Sequence, residues 1–284
     1  MAILAAIVAA GCTAPVPAPE GGREVCRELD EEIVQLAWSQ TGAFLAVGTI
    51  DAEGQPWARV VRADNPDPDV DEARSWAGML AGTVVVRADG QLAWIAETDV
   101  GRQLIEDGPD GRATGLPDDV TATVWTAIGY ALLQRPPEGG SRILLLDVDR
   151  PAAPTLLHET DRAVERLWIP ADPEVMLLTI VHPDHRDAPP SYEVVRSAAT
   201  QQIEPPGADT SGASMPALRR SVVYRSAITG RMQAVRVSEP GVAPTVLSER
   251  AATRGAVSDQ GLLAIADAAR PGRLCLIDVA ALLP

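Results

Sequence analysis

The chain has no lysine, one phenylalanine (Phe44), one asparagine (Asn65), three histidines and three cysteines among its 284 residues. Each shortage excludes something. A phosphate-gripping P-loop needs a lysine after its glycines, and no Gly-x-Gly-x-x-Gly follows a strand-like run. There is no Gly-x-Ser-x-Gly elbow, and a Ser–His–Asp arrangement would have to draw on His158, His182 or His185. No segment sustains a 3.6-residue apolar period across three turns, which excludes a helical domain. The 24 basic residues, all Arg, face 39 acidic ones, for a net charge of −15. Such a surface repels phosphate backbones and excludes nucleic acid as a partner. It also disfavours adsorption to anionic lipid without a separate anchor.

What is present reads as strands and turns. Hydrophobic residues make up 46%, enough for a globular core, and 23 Gly and 24 Pro fall between short apolar runs. At the N-terminus, Met1 to Ala10 (MAILAAIVAA) is too short to span a bilayer and has the length of a signal-peptide apolar region. Ala9-Ala10-Gly11-Cys12 then resembles the bacterial lipobox, which implies acylation of Cys12. The following TAPVPAPEGG is Pro-rich and suits an extended tether. The expected organisation is a lipoprotein-type signal segment (1–12), a tether (13–22) and a folded domain (23–284). The competing reading is an apolar N-terminus with a chance cysteine.

Internal repetition is the most informative feature. Trp38-Ser39-Gln40-Thr41-Gly42, followed by Phe44-Leu45-Ala46-Val47, has a near twin in Val257-Ser258-Asp259-Gln260-Gly261-Leu262-Leu263-Ala264-Ile265. Arg87-Ala88-Asp89-Gly90-Gln91-Leu92-Ala93-Trp94 fits the same frame, about four periods of roughly 43 residues before Gly261. Val34 to Ile50 aligns without gaps on Val164 to Ile180, about three such periods on. A second element, Arg142 to Leu157 (RILLLDVDRPAAPTLL), recurs at Gln233 to Leu247 and, in its first half, at Arg273 to Leu283.

On these residues the chain resembles the LVIVD-repeat surface propellers of bacteria, and more broadly the TolB-type and WD-repeat propellers. The resemblance implies an all-β fold: a single β-propeller of about six blades, with an open sandwich plus a barrel as the alternative. Ser221 to Val237 supplies a hairpin where the anchors leave a double gap. A strand hidden in Ile203 to Pro216 would raise the count to seven. Propellers commonly complete the last blade with an N-terminal strand, and Arg23 to Leu29 is the candidate here. That pairing would bring Cys26 beside Cys275 for a disulfide, as an even cysteine remainder in an exported protein also suggests. Two unrelated small buried residues are the alternative. Trp38, Trp94, Trp125 and Trp168 are expected to fill gaps between blades, with a sugar-binding ring as the other reading.

Two polar clusters stand out. His182, Asp184, His185 and Asp187 offer four donors within six residues and are candidate ligands for a divalent metal, against a solvated hairpin tip. Asp67 to Glu72 alternates carboxylates, but an EF-hand would need Gly and Glu where Glu72 and Gly78 stand. The expected function is a non-catalytic binding or scaffolding propeller in the cell envelope, lipid-anchored and extracytoplasmic. It would hold a protein or cell-envelope ligand, touch the membrane through its lipid alone, and need no cofactor. The alternative is a metal-dependent hydrolase or lyase using the His182–Asp187 loop.

Overall fold

A computed structural model describes residues 24–63, 73–75, 77–108, 111–147, 154–169, 175–181, 189–196, 199–205, 207–215 and 221–284. Within them every regular element is a strand apart from one 3-10 turn, Ala280–Leu282. Strand β1 (Glu24–Glu28) precedes a meander of β2 (Glu32–Trp38), β3 (Phe44–Ile50) and β4 (Pro56–Arg62). A second meander comprises β5 (Val85–Val86), β6 (Leu92–Thr98), β7 (Gly101–Glu106) and β8 (Ala113–Gly115). The third runs β9 (Val120–Thr126), β10 (Gly129–Gln134), β11 (Ser141–Asp147), β12 (Thr155–Thr160). The fourth runs β13 (Ala163–Trp168), β14 (Val175–Val181), β15 (Ser191–Arg196), β16 (Ala199–Ile203).

The remaining strands form one seven-stranded sheet: β17 (Ala208–Ser214), β18 (Ser221–Ser226), β19 (Arg231–Arg236), β20 (Thr245–Val257), β21 (Leu262–Asp267) and β22 (Arg273–Asp278), with β1 at its far edge. Strand β20 is 13 residues long. Its Thr245, Val246 and Ala251 pair with β19, and Ala252 to Val257 pair with β21. One strand thereby serves two meanders, so five hydrogen-bonded sheets stand where the sequence suggests about six blades.

This is a β-propeller. The second strand of each meander is buried on both faces, which is why it reads as a continuous apolar run such as VMLLTIV in β14. Successive side chains leave such a strand on opposite faces. In β10, Tyr130 and Leu132 join a core shared with β6, whereas Ala131 and Leu133 join one shared with β14. The repeated Leu-Ala pairs obey the same rule: Leu45 and Ala46 enter different cores, as do Leu92 and Ala93, and Leu263 and Ala264. Each of the six apolar cores lies between two meanders consecutive around the ring, and each large buried side chain contributes about 1.5–3 kcal/mol.

The repeated Ser–x–x–Gly frame is a hairpin device. The Gly42 N–H donates to the Ser39 carbonyl (2.9 Å) and the Gly261 N–H to that of Ser258 (3.0 Å). The serine hydroxyls accept from the Phe44 and Leu262 N–H groups, both at 3.1 Å. Gly42, Gly90 and Gly261 all have positive φ, 68°, 88° and 82°. The strand within Ile203 to Pro216 exists as β17, but it pairs with β18 as the inner strand of the Ser221–Val237 hairpin and adds no seventh blade.

Strand β1 pairs antiparallel with β22, with Cys26 opposite Cys275, their Cα atoms 4.1 Å apart and their sulfurs at bonding distance. The Leu29 N–H donates to the Gly272 carbonyl (2.8 Å), and Arg270 pairs with Glu28 (2.9 Å).

A Cβ on Gly261 would lie 2.7 Å from the Ala280 Cα, and one on Gly90 3.0 Å from the Phe44 ring. Gly261→Val and Gly90→Val should each destabilise the domain by about 1–3 kcal/mol or more, because a β-branched residue is forced to positive φ. Thermal melts check this; parent-like midpoints would contradict the turn assignment.

Candidate axial-channel site

The innermost strands β2, β5, β9, β13, β17 and β20 face one another around a central cavity of about 330 Å³. An inner strand has no strand partner on its axial side, so its carbonyls and N–H groups there need other partners. Each meander reaches forward to supply one. The Gln35 Oε1 on β2 accepts from the Val84 N–H before β5 (2.8 Å). Arg102 Nη1 on β7 donates to the Val120 carbonyl of β9 (2.6 Å). Arg135, after β10, donates to the Val164 and Glu165 carbonyls of β13, both at 2.9 Å. The Tyr192 hydroxyl on β15 donates to the Asp209 carbonyl of β17 (3.0 Å), and Arg225 Nε on β18 to the Ala252 carbonyl of β20. Arg254 Nε on β20 donates to the Val34 carbonyl of β2 (3.0 Å), which completes the circuit. A backward bond joins the same two strands, from Trp38 Nε1 to the Ala256 carbonyl at 3.1 Å.

Three arginines, Arg135, Arg166 and Arg254, line the cavity with two carboxylates, Glu165 and Asp259. Glu165 is committed to Arg135, 3.2 Å from its Nη2. Burial, and after it the neighbouring Arg254 guanidinium, pulls Arg166 below the usual arginine range. Arginine nevertheless stays charged in proteins. In a molecule of net charge −15 the channel lining is therefore cationic.

Of the four tryptophans singled out, Trp38, Trp125 and Trp168 also line the channel, while Trp94 is fully enclosed between meanders, at 1% exposure. The expectation that all four fill gaps between blades thus holds for Trp94, and the other three divide their rings between core and channel. Trp125 is fixed by an edge-on contact with Tyr130 (4.7 Å between centroids) and by Arg87 over its ring (4.8 Å). Tyr130 donates to Glu106 (2.7 Å), and burial, then Glu106, pushes its phenol far above the usual range.

His182, Asp184, His185 and Asp187 lie outside the described residues, as do Cys12 and Asp67 to Glu72. Among the described residues, the group of His, Cys, Asp and Glu side chains close enough to share an ion is Glu24, Cys26 and Cys275. Its sulfurs are joined to each other and offer no thiolate. No described helix is long and apolar enough to cross a membrane. The channel arginines were not singled out in the sequence. Their signal is a charge within an apolar inner strand, as in Ala163-Val164-Glu165-Arg166-Leu167-Trp168, where the aligned first meander has Leu36.

No protein-family model matches the chain, and no curated protein does. Its backbone is similar to solved propellers. The β-propeller domain of Cps50 (Swd1) from Myceliophteria thermophila superposes with a TM-score of 0.57 at 15% identity, over 87% of this chain and 82% of that one. TolB from Acinetobacter baumannii gives 0.55 at 12% identity over 87% of this chain, which spans 54% of TolB. A chain of the Mitotic Checkpoint Complex gives 0.58 at 14% identity, over 98% and 99% of the two chains. Such identities show a shared fold.

Replacing Arg135 with Met leaves two inner-edge carbonyls of β13 without their donor. Hydrogen bonds to charged groups contribute about 1.5–3 kcal/mol, and a loss of that size is expected in urea unfolding. An unchanged midpoint and slope would mean that the arm carries no stability.

Proposed function

We propose that this chain is a non-catalytic binding or scaffolding propeller of six blades, closed by its N-terminal strand and displayed on the extracytoplasmic face of a bacterial membrane. The blade count follows from dividing the seven-stranded sheet at β20 between Ala251 and Ala252. On that division there are, among the described residues, six inner strands around the channel, six side chains that bond forward to the next blade and six apolar cores. Strand β1 is then the outer strand of the sixth blade.

The observation that carries the binding reading is the channel with its surrounding strands. Arg102, Arg135, Arg225 and Arg254 are committed to holding one blade against the next. A rigid ring made this way presents loops at both ends and a charged cavity on its axis, which suits recognition. Similarity of fold to a chain of the Mitotic Checkpoint Complex agrees with a protein partner, as an analogy of architecture. The partner is a protein or cell-envelope ligand, and the lipid on Cys12 is the sole membrane contact.

Cys12→Ala should move the protein from the membrane fraction to the soluble phase after fractionation, with the domain's melting point unchanged. Unaltered detergent partitioning would end the lipoprotein reading. Stoichiometric Zn²⁺ in the purified protein that is lost in His182→Ala and His185→Ala would instead favour a metal-dependent hydrolase or lyase.

A further inference from the structure

We propose that the axial channel is a binding site for a neutral polyhydroxylated ligand the size of one sugar ring, its hydroxyls met by Arg135 and Glu165 and its C–H surface packed against Trp38, Trp125 and Trp168. The proposal rests on the binding reading above and names the class of ligand held on the axis.

The lining is sorted along the axis. Each meander enters the ring by its inner strand, so the inner strands run the same way. On β20 and β2, Arg254 meets Val34 and Ala256 meets Trp38 further along both. The Arg135 N–H donates to the Asp119 carbonyl just before β9, and its guanidinium to that of Val164 at the start of β13, both at 2.9 Å. Arg135 and Glu165 thus stand where these strands begin. Ala81 and Gly82, ahead of β5, are exposed and line the same cavity, which gives it a mouth to solvent. Trp38, Trp125 and Trp168 fall in the last two residues of β2, β9 and β13 and mark the opposite end.

The charges of this lining are already engaged. Glu165 pairs with Arg135, Arg254 donates to the Val34 and Thr253 carbonyls, and Arg166 and Asp259 have partners of their own. A charged ligand would have to displace one of these bonds, whereas a neutral one adds to them. Arg135 uses Nε and Nη2 on Val164 and Glu165. Guanidinium has five N–H donors, so among the described residues the pair on Nη1 is left for a further acceptor, and the Glu165 Oε1 for a further donor. The two side chains stay 35% and 43% exposed, within reach of a ligand. A hydroxyl both donates and accepts, so neighbouring hydroxyls satisfy both groups at once.

Size and walls give the rest of the chemistry. A cavity of about 330 Å³ is at the lower end of small-molecule sites, which run from about 300 to 1,000 Å³. It holds a small organic molecule and no folded domain. A sugar ring carries hydroxyls on its rim and an apolar C–H surface on its face, which matches a channel polar at one end and aromatic at the other. Large aromatic side chains supply apolar contact area, and Trp125 is fixed in advance by Tyr130 and Arg87, so little ordering is left for the ligand to impose.

Glucose, galactose, mannose and N-acetylglucosamine serve as probes, titrated into the purified protein up to about 50 mM, enough to fill a site of millimolar Kd. Glycerol, which has hydroxyls and no ring, is the control at the same concentration. Tryptophan fluorescence and saturation transfer from the protein's aromatic protons to the sugar C–H protons are the readouts. At least one sugar should change the fluorescence saturably and receive that transfer, and glycerol should do neither. Ala81→Phe, which narrows the mouth at an exposed position, should weaken binding about tenfold or more. Trp168→Leu, which removes one wall, should do the same, and Ala81→Phe decides the matter if Trp168→Leu does not fold. Sugars that act no differently from glycerol, or bind both variants as tightly as the parent, would overturn the proposal. Partitioning of Cys12→Ala and the Zn²⁺ analysis test the broader reading separately, so that either can fail without the other.

Discussion

The open inner edge of each meander is the constraint on which the rest of this structure depends. A strand facing the axis has no strand to pair with on that side, and burying its carbonyls unpaired is costly. Here the answer is a forward hydrogen bond from each meander to the next, made by Gln35, Arg102, Arg135, Tyr192, Arg225 and Arg254 in turn. Four of these six are arginines, whose long stems cover apolar surface while the guanidinium reaches across. The channel's cationic character is a consequence of the same device. Arg135 and Arg254 are at the channel because the inner strands need donors, and they carry their charge with them.

That arrangement makes the molecule a ring of mutually dependent wedges. Leu45 and Val47 pack backward against Ala264 and Ala266, and Ala46 packs forward against Trp94. The first and last meanders meet through Arg254, Trp38 and Gln260, whose side-chain amide donates to the Thr41 carbonyl at 2.8 Å.

Much of this was legible in the sequence, for physical reasons that can be named. A strand buried on both faces must be apolar throughout, so the second strands announced themselves as LLAI, YALL and MLLTIV. The hairpin before such a strand needs a residue at positive φ and a capping hydroxyl, hence Ser–x–x–Gly at Ser39 and Ser258. The third strands shared the pattern seen in RILLLDV and RLCLIDV, and they are β11 and β22. The merging of two meanders through β20 was hidden, because Ala251-Ala252-Thr253-Arg254 carries no turn signal where pairing passes from β19 to β21. The channel arginines were hidden too. Their role depends on carbonyls some 30 to 220 residues away, as with Arg135 to Val164 and Arg254 to Val34. A single sequence holds no local mark of that.

The account's central claim is that the two ends of the chain meet to make the ring continuous. Non-reducing peptide mapping of the folded protein produced in an oxidising compartment tests it most directly. The account predicts one cross-linked peptide pair joining Cys26 to Cys275, the facing residues of β1 and β22. It also predicts that reduction lowers stability by about 3–5 kcal/mol, as expected for a bond closing so long a loop. Free thiols at both positions in the folded protein so produced would contradict the closure and the ring built upon it.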